Sequence, residues 1–127
     1  VINVRRAFRD APNIASITVA RDGAEALQIL RSGEISLHRL LVLLDLRMPR
    51  MNGLEFLHHI RRDGVLNLLP VVVLTTSNDE RDLREAYQMH VAGYLLKPVS
   101  LPQFRDCMQR LQQYFCQVEF PWDSDAP

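Results

Sequence analysis

Three side chains follow apolar stretches and are of types that together could handle a phosphoryl group. Asp45 comes directly after Leu40–Leu44, Thr75 after Val71–Leu74, and Lys97 after Tyr94–Leu96. A carboxylate can serve as the nucleophile that forms an aspartyl phosphate. A lysine ammonium can neutralise a phosphoryl oxygen as a point charge, and a threonine hydroxyl can donate a hydrogen bond to another. Phosphoryl transfer asks mainly for positioning and charge neutralisation. Taken singly, each residue has an ordinary structural use: an Asp after a strand caps a helix, a Thr at a strand end packs, a Lys-Pro pair sits in a solvated loop. Their joint occurrence at three consecutive strand ends favours one shared polar pocket.

The surrounding pattern supplies the elements that must position them. Val1–Phe8 reads as a helix broken by Ala11-Pro12-Asn13, and Ile14–Ala20 as a β-branched strand. Asp22-Gly23 reads as a turn, and Ala24–Arg31 as a helix stopped by Gly33. The unbroken run Leu40–Leu44 suits a strand buried on both faces. Asn52-Gly53 opens a helix with Leu54, Leu57 and Ile60 inward, ending at Gly64. After the strand Val71–Leu74, Ser77-Asn78-Asp79-Glu80 has the form of a capping box for a helix running to about His90. Tyr94–Leu96 is a short strand, and the last helix carries Phe104, Cys107, Met108, Leu111, Phe115 and Val118 at helical spacing. Alternating helices and apolar strands specify an α/β, doubly wound parallel sheet with helices on both faces. Ligands in such folds bind outside the carboxyl ends of the strands.

Composition removes other classes. Fifteen basic residues balance fifteen acidic ones, so neither nucleic acid nor an anionic membrane surface is an expected partner. The longest apolar runs are far shorter than a membrane span, and Val1–Asp10 has three arginines with no apolar block after them, unlike a signal peptide. Cys107 and Cys116 lie about 180° apart around a helix of 3.6 residues per turn and read as two reduced thiols of a cytoplasmic protein.

Asp45-x-x-Met48-Pro49-x-x-x-Gly53, then Leu74-Thr75, then Gly93-Tyr94-x-x-Lys97-Pro98 resemble the receiver domain of two-component response regulators, over roughly residues 1–118. The resemblance implies the flavodoxin-like strand order 2-1-3-4-5. It implies that Asp45 is the phosphoacceptor, Lys97 the family's lysine, Thr75 the switch hydroxyl and Tyr94 the switch aromatic. It implies Mg²⁺ as cofactor, held by Asp45 and the backbone carbonyl of Arg47, and a sensor histidine kinase as partner. It implies no enzyme beyond self-catalysed phosphorylation and dephosphorylation.

One departure matters. The family opens with a strand ending in two acids that hold Mg²⁺, and no acid precedes Asp10 here. A sheet missing its central strand would expose two edges. The first strand is therefore expected ahead of Val1 or from a partner. The alternative is a non-phosphorylated pseudo-receiver that acts as a protein-interaction module. An aspartate-nucleophile phosphatase fits poorly, because its second Asp, two residues on, is Arg47 here. Arg47 is expected over the pocket and Thr76 on a tight rim. His58 and His59 are expected as surface residues rather than a phosphorelay site.

Residues 119–127 form an aromatic tail after the domain. Tyr114, Phe115, Val118, Phe120 and Trp122 fall within nine positions, and Pro121 ends any helix there. That density predicts a homodimer held by Phe115, Phe120 and Trp122. The tail also resembles that of the single-domain response regulators paired with bacterial phytochrome kinases. The output is then a surface: the last two helices and the last strand.

Overall fold

The computed structural model describes residues 22–33, 37, 40–47 and 51–121. The segments Val1–Phe8 and Ile14–Ala20, and Trp122, lie outside the described residues. Seven regular elements alternate along the rest: helix α1 (Gly23–Ser32), strand β1 (Val42–Leu44), helix α2 (Gly53–Arg62), strand β2 (Val71–Thr75), helix α3 (Glu80–Gln88), strand β3 (Gly93–Leu96) and helix α4 (Leu101–Phe115). A 3-10 turn, Leu66–Leu68, links α2 to β2.

The described strands form a parallel sheet in the order β1-β2-β3. Val42 faces Val71, Val73 faces Tyr94, and Thr75 faces Leu96. Consecutive neighbours match the 3-4-5 side of the expected order. The strand expected at Leu40–Leu44 spans only Val42–Leu44, and its first bond to the neighbouring strand runs from Val42 N to the Pro70 carbonyl.

β2 is buried along its whole length and shows why its sequence is continuously apolar. Its side chains alternate between faces. Val71 and Val73 pack with Phe56, Leu57 and Ile60 of α2, Ala86 of α3, and Leu27 and Leu30 of α1. Leu74 packs with Phe104 and Met108 of α4, and Val72 with Phe115 and Phe120.

Several local expectations change. Asp22 is not a turn residue but the buried cap of α1, its Oδ1 accepting from Glu25 N at 2.9 Å. Gly23, the first helical residue, is a glycine because a Cβ there would come within 2.7 Å of the Met51 backbone oxygen. Gly33 closes α1 as expected, with φ 79°. α2 ends at Arg62 with Asp63, rather than Gly64, as its C-cap, and the Asp63 carboxylate accepts from Val65 N and Leu66 N to start the 3-10 turn. The capping box at Ser77 does not form. Asp79 caps α3 by accepting from Arg81 N at 2.8 Å, which leaves Ser77 and Glu80 other roles. α3 stops at Gln88 rather than His90, because His90 takes φ 61° and its carbonyl and that of Met89 are claimed by the Arg61 guanidinium.

The chain turns back after the last helix. α4 ends at Phe115, not Val118, and turn bonds from Gln117 N to Tyr114 O and from Val118 N to Phe115 O reverse the chain. Phe120 thereby returns to its own domain, 5% exposed, with its ring 6.2 Å from that of Phe115. Phe115 and Phe120 are buried in the chain's own core, packed with Val72.

Candidate functional site

The C-terminal ends of the three strands bring the expected residues to one edge of the sheet. Asp45 is the residue after β1, Thr75 ends β2, and Lys97 follows β3. The Lys97 ammonium donates to Asp45 Oδ2 at 2.8 Å across 52 residues of chain. Lys97 N donates to the Thr75 carbonyl at 2.8 Å, so the ladder itself sets the lysine's height. About a quarter of the lysine side chain and a third of the aspartate side chain remain exposed (26% and 32%), which leaves the pair open to a small solute.

The other Asp45 oxygen, Oδ1, accepts from Arg47 N at 2.9 Å. That bond bends the chain sharply after β1. The return of the chain depends on Gly53, where a Cβ would stand 2.6 Å from both the Asp45 carbonyl oxygen and Leu46 Cα. The glycine nine residues before α2's end is thus required by close backbone approach to the Asp45 loop. Gly53 N donates to the Leu46 carbonyl at 3.2 Å, and Asn52 caps α2 by accepting from Glu55 N.

Thr75 is fully buried and its hydroxyl accepts from Ser77 N at 3.2 Å. Tyr94 is half-buried, and its hydroxyl donates to the Ser77 carbonyl at 2.9 Å. Burial holds the Tyr94 phenol above its ordinary pKa, opposed by the Ser77 bond and reinforced by the Asp82 and Asp79 carboxylates. Arg47 and Thr76 are exposed at the rim. His59 is exposed, and the half-buried His58 faces Glu85 of α3 at 3.7 Å, so both are surface residues away from the strand ends.

Two features escaped the sequence reading. Ser77, 1% exposed, joins the Thr75 and Tyr94 hydroxyls and also donates to Asp82 Oδ2 at 2.7 Å. Arg61 donates to the carbonyls of Met89, Asn67, Leu69 and His90. Desolvation lowers its pKa, as expected where carbonyls replace water around a cation. Neither pairing has a local sequence signature.

Residues 1–109 match the family model described as the response regulator receiver domain. The chain belongs to the response regulator receiver family. It is 43% identical over 115 residues to a "Probable methanogenesis regulatory protein FilR2" of Methanothrix harundinacea, covering 88% of this chain and 74% of that one. It is 35% identical over 105 residues to the response regulator Rcp1 of a Synechocystis species, covering 80% of this chain and 71% of that one. Among solved structures, the phosphorylated cyanobacterial phytochrome response regulator RcpA superposes with TM-score 0.79 at 30% identity, covering 91% of this chain and 89% of the other. The Mn²⁺-bound form of Rcp1 superposes with TM-score 0.74 at 31% identity and the same coverage. The fold is the flavodoxin-like receiver fold, and phytochrome-associated response regulators are among its near structural neighbours. Receiver domains are signalling modules of two-component systems. No helix among the described residues is long and apolar enough to cross a membrane.

Proposed function

We propose that the chain is a response regulator that takes a phosphoryl group from a sensor histidine kinase onto Asp45. The observation that carries this reading is the 2.8 Å contact between Lys97 Nζ and Asp45 Oδ2, with the buried Thr75 at the end of the strand between them. In the transfer, an Asp45 oxygen attacks phosphorus, the bond from phosphorus to the kinase imidazole nitrogen breaks, and the imidazole leaves with that electron pair. Lys97 neutralises the charge gathering on the phosphoryl oxygens, and the Thr75 hydroxyl turns to donate to one of them.

The donor chemistry supports a hard divalent cation. Asp45 offers a carboxylate and Arg47 a backbone carbonyl, and Mg²⁺ uses one or two carboxylates with phosphate oxygens and retained waters. Asp45 and the Arg47 carbonyl would hold it, and when bound it would neutralise phosphoryl charge. Among the described residues no cluster of three His, Cys, Asp or Glu stands ready for an ion.

The likeness to RcpA and Rcp1 supports a kinase of the bacterial phytochrome class as the donor, in the cytoplasm. With Phe115 and Phe120 taken up by the core, a partner would have the exposed apolar side chains of the α3–β3–α4 face: Leu83, Tyr87, Leu96, Val99 and Leu101. A second copy of the chain or a downstream target would dock there after switching.

Incubation with an autophosphorylated phytochrome-class histidine kinase and Mg²⁺ tests the reading. Label should move from kinase to this chain and fail to move to Asp45→Asn. Equal transfer to the variant would place the acceptor elsewhere.

A further inference from the structure

We propose that Asn52-Gly53 is a self-modification site, whose conversion to a succinimide and then to isoaspartate is held off by the hydrogen bonds around the Asp45 loop and released when that loop opens. The gating belongs to the unphosphorylated chain. Only its consequence for signalling rests on the phosphoacceptor reading.

The chemistry begins in the sequence. Of the five asparagines, only Asn52 precedes a glycine. Glycine has no side chain to shield its own nitrogen, so the approach of that nitrogen to the preceding side chain is least hindered there. In the first step the Gly53 nitrogen bonds to Asn52 Cγ, the Cγ–Nδ2 bond breaks, and Nδ2 leaves as ammonia with the Gly53 proton. A five-membered succinimide remains. Water then opens one of its two carbonyl–nitrogen bonds. Opening at Cγ leaves an aspartate at position 52. Opening at the backbone carbonyl leaves isoaspartate, with the main chain rerouted through Cβ and Cγ and one carbon longer.

The folded geometry opposes the first step at three atoms. Ring closure must turn the peptide between Asn52 and Gly53 until its nitrogen stands over Cγ. Both ends of that peptide are held: Gly53 N donates to the Leu46 carbonyl at 3.2 Å, and the Asn52 carbonyl accepts from Phe56 N at 3.0 Å. The side chain is held as well, since Asn52 Oδ1 accepts from Glu55 N at 2.9 Å. Gly53 is buried while Asn52 is exposed, so water is at hand and the missing ingredient is rotation.

The two products fit differently. Aspartate caps a helix about as well as asparagine does. The longer isoaspartyl chain must press Gly53 toward Asp45 or push the loop aside. Gly53 has no room to give, because even one added carbon there would stand 2.6 Å from the Asp45 carbonyl oxygen and from Leu46 Cα. Isoaspartate therefore displaces the loop that sets Asp45.

Two rates measured on the full chain, with no phosphoryl donor, test the gate. The chain is held at mildly alkaline pH across a guanidinium chloride series. Peptide mapping follows deamidation at Asn52, and NMR follows hydrogen exchange of the Gly53 amide. Deamidation should be at least about tenfold slower in the folded chain than in the unfolded one, and the ratio should match the Gly53 protection factor within about threefold, because one opening controls both. Equal rates in folded and unfolded chains would overturn the proposal. So would slow deamidation beside an unprotected Gly53 amide, since the Leu46 bond would then not be the gate. The isoaspartyl chain, separated by chromatography, should unfold at lower denaturant than the parent, and Asn52→Asp should match the parent. An isoaspartyl chain as stable as the parent would overturn the displacement of the loop. A parent chain whose Asp45 takes no phosphoryl group would refute the function proposed above and leave these rates standing.

Discussion

Lys97 and Asp45 sit 52 residues apart in the chain and 2.8 Å apart in space, each just past the end of a strand and separated by the strand that ends in Thr75. Part-exposed ion pairs of this kind contribute little to stability, about 0–1 kcal/mol. Lys97→Ala should therefore shift the unfolding free energy by no more than about 1 kcal/mol in denaturant titration. It should nonetheless weaken the response to a phosphoryl donor strongly. A variant that unfolds outright would make Lys97 a structural residue.

Gly53 makes the opposite prediction. Its added Cβ would meet backbone atoms of Asp45 and Leu46 at 2.6 Å, and backbone gives way less readily than a side chain. Gly53→Ala should destabilise by about 1–3 kcal/mol, the range of forced overpacking, and slow Asp45 modification by displacing its loop. Gly64, with open space around its Cα, is the control; Gly64→Ala should be neutral or stabilise by up to about 1 kcal/mol. Equal effects at the two glycines would show that the close approach is relieved at no cost.

Phe120 should behave as a core residue. Phe120→Ala is expected to cost about 3 kcal/mol, the lower end for a buried Phe, while size-exclusion elution at fixed concentration stays that of the parent. A dimer-to-monomer shift with stability intact would restore the C-terminal arm as an intersubunit contact.

Tyr94 gives a pH signature. Its phenol is held above the ordinary tyrosine range in the folded state, so the protonated form is favoured by folding. That contribution is fully present below the unfolded pKa of about 10 and is lost as pH rises through the higher folded value. Tyr94 should ionise late in a spectrophotometric titration, and Tyr94→Phe should remove that late step. A native titration in which Tyr94→Phe removes an early or ordinary step would contradict the geometry.

How far sequence could see depended on the range of each interaction. The wholly buried β2 was legible because continuous apolarity is what a strand covered on both faces requires, whereas of the Leu40–Leu44 run only Val42–Leu44 is strand and only Leu44 is fully buried. The convergence of Asp45, Thr75 and Lys97 followed from parallel strands ending on one side. Helix ends were less legible. Ser77 and Asp79 are both good capping types two residues apart, and the choice fell to Asp79 because Ser77 is engaged by Asp82, Thr75 and Tyr94. Arg61 reads locally as one more charge near a helix end; only the folded chain brings four carbonyls to it. Phe120 was misjudged because helical periodicity stops at Pro121, whereas the turn after Phe115 folds the chain back.

The phosphoacceptor assignment is tested most directly by intact-mass measurement after incubation with acetyl phosphate and Mg²⁺, followed by borohydride trapping and peptide mapping. A single adduct of one phosphoryl group is expected, trapped at Asp45 and absent from Asp45→Asn. An adduct of the same mass that persists in Asp45→Asn, or one that maps to another residue, would contradict it.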